Sequence, residues 1–160
     1  MTADHVLPMP TAEIEALRAR YPKGFESSLV MPCLRRIQEL QGFVADADIG
    51  ALAACLGVTR VQIEEALSFY TQYRREAIGR CHLAVCHNVS CSMRGAERLL
   101  AALSEKLGIG PGETTPDGRY TLSTVECLGS CGTAPVMLVD GAYVENVGVE
   151  SIDALLARHG

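Results

Sequence analysis

Two pairs of cysteines in the C-terminal half of the chain place the strongest constraint on its fold. Cys86 and Cys91 are separated by four residues, and Cys127 and Cys131 by three. Each pair follows a pattern typical of a β-strand, "CHLAV" and "RYTLSTV", in a loop rich in Ser and Gly. Since a rigid fold presents loops side by side at strand ends, we expect the two pairs to converge and surround one centre with four thiolates.

The three remaining cysteines of the seven fit a packing role instead. Cys81 shares one face of the predicted strand with Leu83 and Val85, and Cys33 and Cys55 lie on apolar faces of predicted helices. A buried free cysteine behaves as a small apolar residue. The chain shows no signal-peptide pattern, and a reducing cytosol disfavours a disulfide framework. The paired cysteines therefore indicate metal binding or thiol chemistry.

Charge and hydropathy exclude two classes of partner. The net charge is −5, from 14 basic and 19 acidic residues, and neither half has the positive excess that binding a phosphate backbone requires. No apolar run approaches the roughly 18 residues of a membrane span. We expect no nucleic acid and no direct membrane insertion. The expected location is the cytoplasm, or the periphery of the inner membrane through a complex.

The periodicity divides the 160 residues into three parts. Residues 1–10 contain two prolines and no repeat pattern, which predicts a flexible arm. Residues 11–79 carry apolar side chains at helical spacing, and they predict a four-helix docking bundle whose last helix opens with the capping box "TRVQ". Residues 80–160 predict a β-α-β-β-α unit with a hairpin turn at Asp140-Gly141. The expected class is α+β.

The residues around the paired cysteines favour an iron–sulfur cluster but leave zinc open. Gly129 and Gly132 permit close approach of backbone N–H groups to an anionic core, and Ser90, Ser92 and Ser130 are candidate hydroxyl donors to sulfur. Structural zinc sites more often use C-x2-C pairs and stabilise folds with little core. A C-x4-C pair also occurs in plant-type ferredoxins, although their remaining spacing differs.

Other chemistry has weaker support in the sequence. His87 beside Cys86 suggests a Rieske centre, but four cysteines are already present, so we expect an exposed side chain that at most tunes the potential. The stretch "DIGALAACLGVTRVQIEEALSFY" resembles a helix-turn-helix, yet Glu64 and Glu65 would repel phosphates. There is no C-x-x-C dithiol, and no G-x-G-x-x-G or P-loop that would bind a nucleotide.

Three stretches carry a specific resemblance to a known family. "CHNVSCSMRGAERLL", "PGETTPDGRYTLSTVECLGSCGTAPVMLVDGAYVEN" and "ALSFYTQY" resemble the thioredoxin-like [2Fe-2S] component of respiratory complex I, the so-called 24 kDa chain of NADH:quinone oxidoreductase. The resemblance covers roughly residues 11–158. Related chains serve NAD-linked hydrogenases and formate dehydrogenases.

The resemblance implies a site and a set of partners. Cys86, Cys91, Cys127 and Cys131 are the implied ligands of one [2Fe-2S] cluster per chain, with no catalytic residue. The implied fold is a helical bundle followed by a thioredoxin-like domain, with Pro135 in the place of a cis-proline. The implied partner is a flavoprotein subunit that alone binds NAD and FMN and exchanges single electrons with the cluster.

The expected function is therefore electron transfer within NADH:quinone oxidoreductase. The alternative is the equivalent diaphorase-type subunit of an NAD-dependent hydrogenase or formate dehydrogenase. Outside this class, a zinc-stapled interaction module and a cluster-sensing DNA-binding regulator remain open.

Overall fold

A computed structural model describes residues 5–159 of the chain. The chain divides into two compact units, one up to Ala77 and one from Ile78 onward. Each unit has a hydrophobic core of its own. The first unit is helical and the second contains the sheet, which confirms the predicted α+β class. Within the described residues, no helix combines the length and apolarity that crossing a bilayer requires.

The four helices predicted for the first unit are present. Their apolar faces pack together because Cys33, Leu34 and Ile37 recur at helical spacing and are fully buried. Gly42 and Gly57 terminate two of the helices in the left-handed conformation, with φ values of 91° and 72°. The helices are α1 (Thr11–Arg18), α2 (Val30–Gln41), α3 (Asp46–Leu56) and α4 (Arg60–Phe69), with a 3₁₀ turn at Glu26–Leu29 before α2.

The capping box predicted at the start of α4 is also present. The Gln62 backbone N–H donates to Thr59 Oγ1 at 3.3 Å, and the Thr59 backbone N–H donates to Gln62 Oε1 at 2.9 Å. Two N–H groups that the helix leaves without an internal partner are thereby satisfied. The start of α4 is thus determined locally, by four consecutive residues.

Part of the segment that the sequence predicts as a flexible arm contacts the first unit. Residues 1–4 lie outside the described residues; within residues 5–10, Leu7 and Met9 pack against the core of the first unit, whereas Val6 is 85% exposed. Met9 is only 3% exposed and belongs to its core. His5 Nε2 lies 2.6 Å from Oδ1 of Asp48, a carboxylate with no exposed surface. A buried carboxylate is costly unless its oxygens are paired, so this contact helps to hold the segment in place.

The second unit is a four-stranded sheet with helices packed against it. In the described part of the chain the strands are β1 (Cys81–Cys86), β2 (Tyr120–Val125), β3 (Val136–Val139) and β4 (Ala142–Glu145), in the order β2-β1-β3-β4. β1 is parallel to β2 and antiparallel to β3, and β3 is antiparallel to β4. The helices are α5 (Val89–Met93), α6 (Ala96–Leu107) and α7 (Ile152–His159).

The connections follow from the sequence between the strands. α6 provides the long crossover that two parallel strands require. The β3–β4 hairpin turns at Asp140 and Gly141, whose φ values of 50° and 83° fit the predicted tight turn. Cys81, Leu83 and Val85 are at most 1% exposed, so the predicted core face of β1 is confirmed.

Burial also determines the chemistry of two packing cysteines. It raises the pKa of the Cys33 thiol to about 11, and that of the Cys81 thiol to about 11. The thiolate is the reactive form of cysteine. At pH 8 about one such thiol in a thousand is ionised. Low ionisation and burial therefore both protect Cys33 and Cys81 from thiol reagents.

We expect iodoacetamide to spare Cys33 and Cys81 in the folded, cluster-free protein at pH 8. The exposed Cys127 and Cys131 should be alkylated first, and all four should react after unfolding in guanidinium. Peptide mass spectrometry over a time course measures the four rates. Alkylation of Cys81 at the rate of Cys127 in the folded protein would contradict the packing assignment.

Candidate metal centre

The four candidate ligands lie at the C-terminal ends of β1 and β2. Cys86 is the last residue of β1 and Cys91 lies on α5, so the first pair occupies a strand end and a helix rather than the predicted loop. Cys127 follows β2, and Cys131 begins a 3₁₀ turn. We call residues 86–91 and 126–133 the first and second cysteine segments.

Parallel pairing brings the two segments together. Cys86 is in register with Val125, so both strands end at the same edge of the sheet. Beyond that register the His87 backbone N–H donates to the Val125 carbonyl at 3.2 Å. Asn88 Nδ2 then donates to the Glu126 carbonyl at 2.9 Å. The first cysteine segment is therefore bonded directly to the start of the second.

The same Asn88 side chain also starts α5. Its Oδ1 accepts from the Val89 backbone N–H at 2.9 Å. One side chain thus has two tasks, because it caps the helix that carries Cys91 and reaches across to the other segment. Neither task was predicted from the sequence. Asparagine before a short helix is a cap signal, but the cross-segment bond of Asn88 depends on the parallel pairing of β1 and β2.

The thiols of the first segment form a buried, interacting pair. Cys86 and Cys91 are 2% and 3% exposed. Burial raises the pKa of the Cys91 thiol; a hydrogen bond with Cys86 and the charges of Cys86 and Cys131 add to this rise, while a backbone bond at Val136 opposes it. Thiolates placed close together are disfavoured unless a cation is bound between them.

The second pair, Cys127 and Cys131, is exposed. The Gly129 backbone N–H donates to Cys127 Sγ at 3.4 Å, and Gly129 itself has a φ of 72°. Residues 5–159 contain no group of three or more His, Cys, Asp or Glu side chains already arranged to hold a metal ion. The structure thus brings the two segments together and pairs Cys86 with Cys91, but it does not gather all four sulfurs around one point.

The donor set nevertheless fits an iron–sulfur cluster. All four cysteines are free thiols, and thiolate sulfur is the ligand that such clusters prefer. The N–H of Gly129 already donates to one of the four sulfurs, and such bonds stabilise the thiolate form. The thiols and this N–H donor lie on two segments that are hydrogen-bonded to each other.

Side chains of strand β4 are hydrogen-bonded to the second cysteine segment. Tyr143 Oη donates to the Leu128 carbonyl at 2.9 Å. Glu145 Oε1 accepts from Ser130 Oγ at 2.5 Å and from Thr133 Oγ1 at 2.7 Å. The roles of Tyr143 and Glu145 were not predicted, since no local pattern shows that the hairpin places β4 beside this segment.

These bonds change the expected roles of the serines. Ser130 binds Glu145, and Ser92 Oγ donates to the His87 carbonyl at 2.9 Å, so both hydroxyls are engaged away from sulfur. The His87 side chain is 42% exposed, as predicted, and its Nε2 lies 3.4 Å from Glu126 Oε1. The hydroxyls of Ser92 and Ser130 therefore stabilise the conformation of the two segments and do not serve as the predicted donors to sulfur.

The helix-turn-helix interpretation is not supported by the side chains of α3 and α4. Arg60, the basic residue of the would-be recognition helix, pairs with Asp46 and with Glu64. Gln62 is engaged in the capping box. Because these groups are satisfied by neighbouring side chains and backbone, they are not free to bind the phosphates of DNA.

Substitution of Asn88 tests whether its bond to the Glu126 carbonyl stabilises the site. Asn88→Ser keeps a cap acceptor for α5 but removes the donor to the Glu126 carbonyl. A solvent-exposed hydrogen bond contributes about 0.5–1 kcal/mol, so iron loss to a chelator should be about two- to five-fold faster in the variant. Asn88→Ala, which removes the cap as well, should lose iron at least as fast.

The measurement is the decay of iron absorbance under excess chelator. If Asn88→Ser matches the wild type and only Asn88→Ala is faster, the cap matters and the cross-segment bond does not.

The chain is similar to known proteins along most of its length. The profile of the thioredoxin-like [2Fe-2S] ferredoxin family matches residues 14–159. The chain is 49% identical over 144 residues to the E 2 chain of the NADH-quinone oxidoreductase of Rhizobium meliloti, covering 90% of this chain and 84% of that one. It is 44% identical over 145 residues to chain 2 of the NADH-quinone oxidoreductase of Thermus thermophilus, covering 90% and 80%. Both relatives are named as subunits of that oxidoreductase.

Among solved structures, the chain resembles an NAD+-reducing [NiFe]-hydrogenase in the air-oxidized state, with a TM-score of 0.70 and 21% identity. The match covers 81% of this chain but only 22% of the hydrogenase chain, and at this identity it shows the fold alone. The family match confirms the expected [2Fe-2S] cofactor. With a profile that spans nearly the whole chain and relatives at 49% and 44% identity, the protein belongs to the thioredoxin-like [2Fe-2S] ferredoxin family.

Proposed function

We propose that the chain is the electron-transfer subunit of an NADH:quinone oxidoreductase and that Cys86, Cys91, Cys127 and Cys131 hold its cluster. The observation that carries this proposal is the pair of cysteine segments at one edge of the sheet, joined by the bond from Asn88 to the Glu126 carbonyl. The names of the relatives at 49% and 44% identity support it. The chain is then part of an oxidoreductase without a substrate site of its own.

The chain supplies a site with two different sides. A bound [2Fe-2S] cluster accepts and releases one electron at a time. Cys86 and Cys91 are buried, so they supply thiolate ligands in surroundings of low polarity. Cys127 and Cys131 are exposed, and a redox partner can approach the site from this side. Burial and exposure together determine from which direction an electron enters or leaves.

Loading the site requires the thiols to lose their protons. The pKa of Cys91 is raised by burial first and then by its neighbours Cys86 and Cys131. In the cluster-free chain this thiol therefore keeps its proton to a higher pH than an exposed cysteine. Metal ligation needs the thiolate and releases the proton, so loading becomes less favourable as pH falls.

The proposed partner is the flavoprotein subunit that binds NADH and FMN. The relatives are named as subunits of an oxidoreductase, from which we infer that this chain also works within a complex. Val89 and Met93 lie one turn apart on α5 and are 66% and 84% exposed. Tyr143, which bonds to the second cysteine segment, is 57% exposed. These apolar side chains beside the cysteines suit a protein partner. Any association with the inner membrane would come through that complex.

Two competing functions are less well supported. A diaphorase-type subunit of a hydrogenase rests on a structural likeness at 21% identity, which shows the fold alone. A zinc staple is needed by folds with little core, whereas the second unit buries residues such as Leu83, Leu99 and Leu122 in a core of its own. Metal analysis of the purified chain separates the zinc staple from the proposal.

Spectroscopy of the anaerobically purified chain tests the proposal. The oxidised protein should show broad visible absorption that bleaches with dithionite, and the reduced protein should give the EPR signal of a spin-half cluster. Chemical assay should find about two irons and two sulfides per chain. A colourless, EPR-silent protein that carries one zinc would contradict the proposal.

Single Cys→Ser variants identify the ligands, with the packing cysteines as matched controls. Serine at 86, 91, 127 or 131 should lower iron content or alter the EPR signal, because the cluster loses a thiolate. Serine at 33, 55 or 81 should leave the spectrum of the folded protein unchanged. A normal cluster in the variant of Cys131, or a lost cluster in the variant of Cys55, would revise the ligand set.

A further inference from the structure

The contact between β4 and the second cysteine segment has a chemical consequence beyond shape. Ser130 immediately precedes Cys131, and Thr133 follows it by two residues. Both hydroxyls lie within hydrogen-bond distance of the same Glu145 oxygen, at 2.5 and 2.7 Å. The carboxylate of Glu145, on β4, thus binds residues on both sides of Cys131, one of the proposed ligands.

The hydroxyls of Ser130 and Thr133 have more acceptors within reach than hydrogens to donate. Ser130 and Thr133 each have one O–H hydrogen, and their own oxygens are 2.8 Å apart. Thr133 Oγ1 also lies 3.1 Å from the Ser130 carbonyl. A charged carboxylate is a stronger acceptor than a hydroxyl or a carbonyl, so both hydrogens point to Glu145. Ser130 then has none left to donate to sulfur.

Glu145 is ionised at neutral pH in this arrangement. The hydrogen bond from Ser130, and then that from Thr133, lower the pKa of its carboxyl below the usual range. A full negative charge is therefore held close to the segment that carries Cys127 and Cys131. Negative charge disfavours the arrival of another electron, and net charge is one of the factors that set the potential of a cluster.

We propose that Glu145 is a positioning residue of the cluster site, which holds the second cysteine segment and lowers the reduction potential of the bound cluster. This inference rests on the proposed function, because it takes Cys127 and Cys131 as ligands. It assigns to β4 a role in tuning electron transfer as well as in completing the sheet.

The test is a potentiometric titration of the loaded full-length chain, followed by the EPR signal of the reduced cluster. Glu145→Gln keeps the shape and an oxygen acceptor but removes the charge, so its midpoint potential should shift to a more positive value. Glu145→Asp keeps the charge and should stay closer to the wild type. Equal potentials for Glu145→Gln and the wild type would overturn the inference.

Glu105→Gln is the matched control for a change of one charge. Glu105 is exposed near the C-terminal end of α6. α6 leads from the end of β1 back to the start of the parallel β2, so Glu105 lies towards the sheet edge opposite the cysteines. A shift in Glu105→Gln as large as that in Glu145→Gln would show a general charge effect and would also overturn the inference.

A second measurement needs no cluster. In the cluster-free chain, Glu145→Ala should speed amide hydrogen exchange of residues 126–133 relative to both the wild type and Glu105→Ala, because the segment loses its anchor. Unchanged exchange would exclude the positioning role even where the Glu145 variants fail to load. A wild-type chain that binds no iron and sulfide would instead contradict the proposed function, so the two failures are distinguishable.

Discussion

The parallel pairing of β1 and β2 is the constraint on which the site depends. Because both strands run in the same direction and Cys86 is in register with Val125, the residues after each strand emerge at one edge of the sheet. α6 makes this possible by crossing back along the sheet between them. In an antiparallel arrangement, the segments after the two strands would lie at opposite edges. Topology thus brings together two cysteine pairs that are far apart in the sequence.

Polar contacts then refine what the topology provides. Asn88 joins the two cysteine segments, and Glu145 fastens the second segment to β4. These bonds use side chains that are not proposed as ligands, yet they hold the segments on which the proposed ligands stand. The outcome is a site with one buried pair, Cys86 and Cys91, and one exposed pair on the side open to a partner. That asymmetry suits a carrier that protects its cluster and still exchanges electrons.

Much of the fold could be predicted because its signals are local. Apolar spacing predicts α1 to α4, the Thr59–Gln62 box predicts the start of α4, and Asp140-Gly141 predicts the hairpin. The features that could not be predicted depend on distant contacts or on elements too short for a period. α5 has five residues, so its helical character was hidden in a Ser-rich stretch. Met9 is buried by the helices of the first unit, and Ser130 is bound by a glutamate of β4.

We propose that four cysteines from two hydrogen-bonded segments hold one cluster. The most direct measurement is a crystal structure of the iron-loaded chain with diffraction data collected at the iron absorption edge. We expect two adjacent anomalous peaks, one for each iron. Each iron should be bound by two of the sulfurs of Cys86, Cys91, Cys127 and Cys131, so that all four are used. A single metal peak, or iron bound to Cys33, Cys55 or Cys81, would contradict the claim.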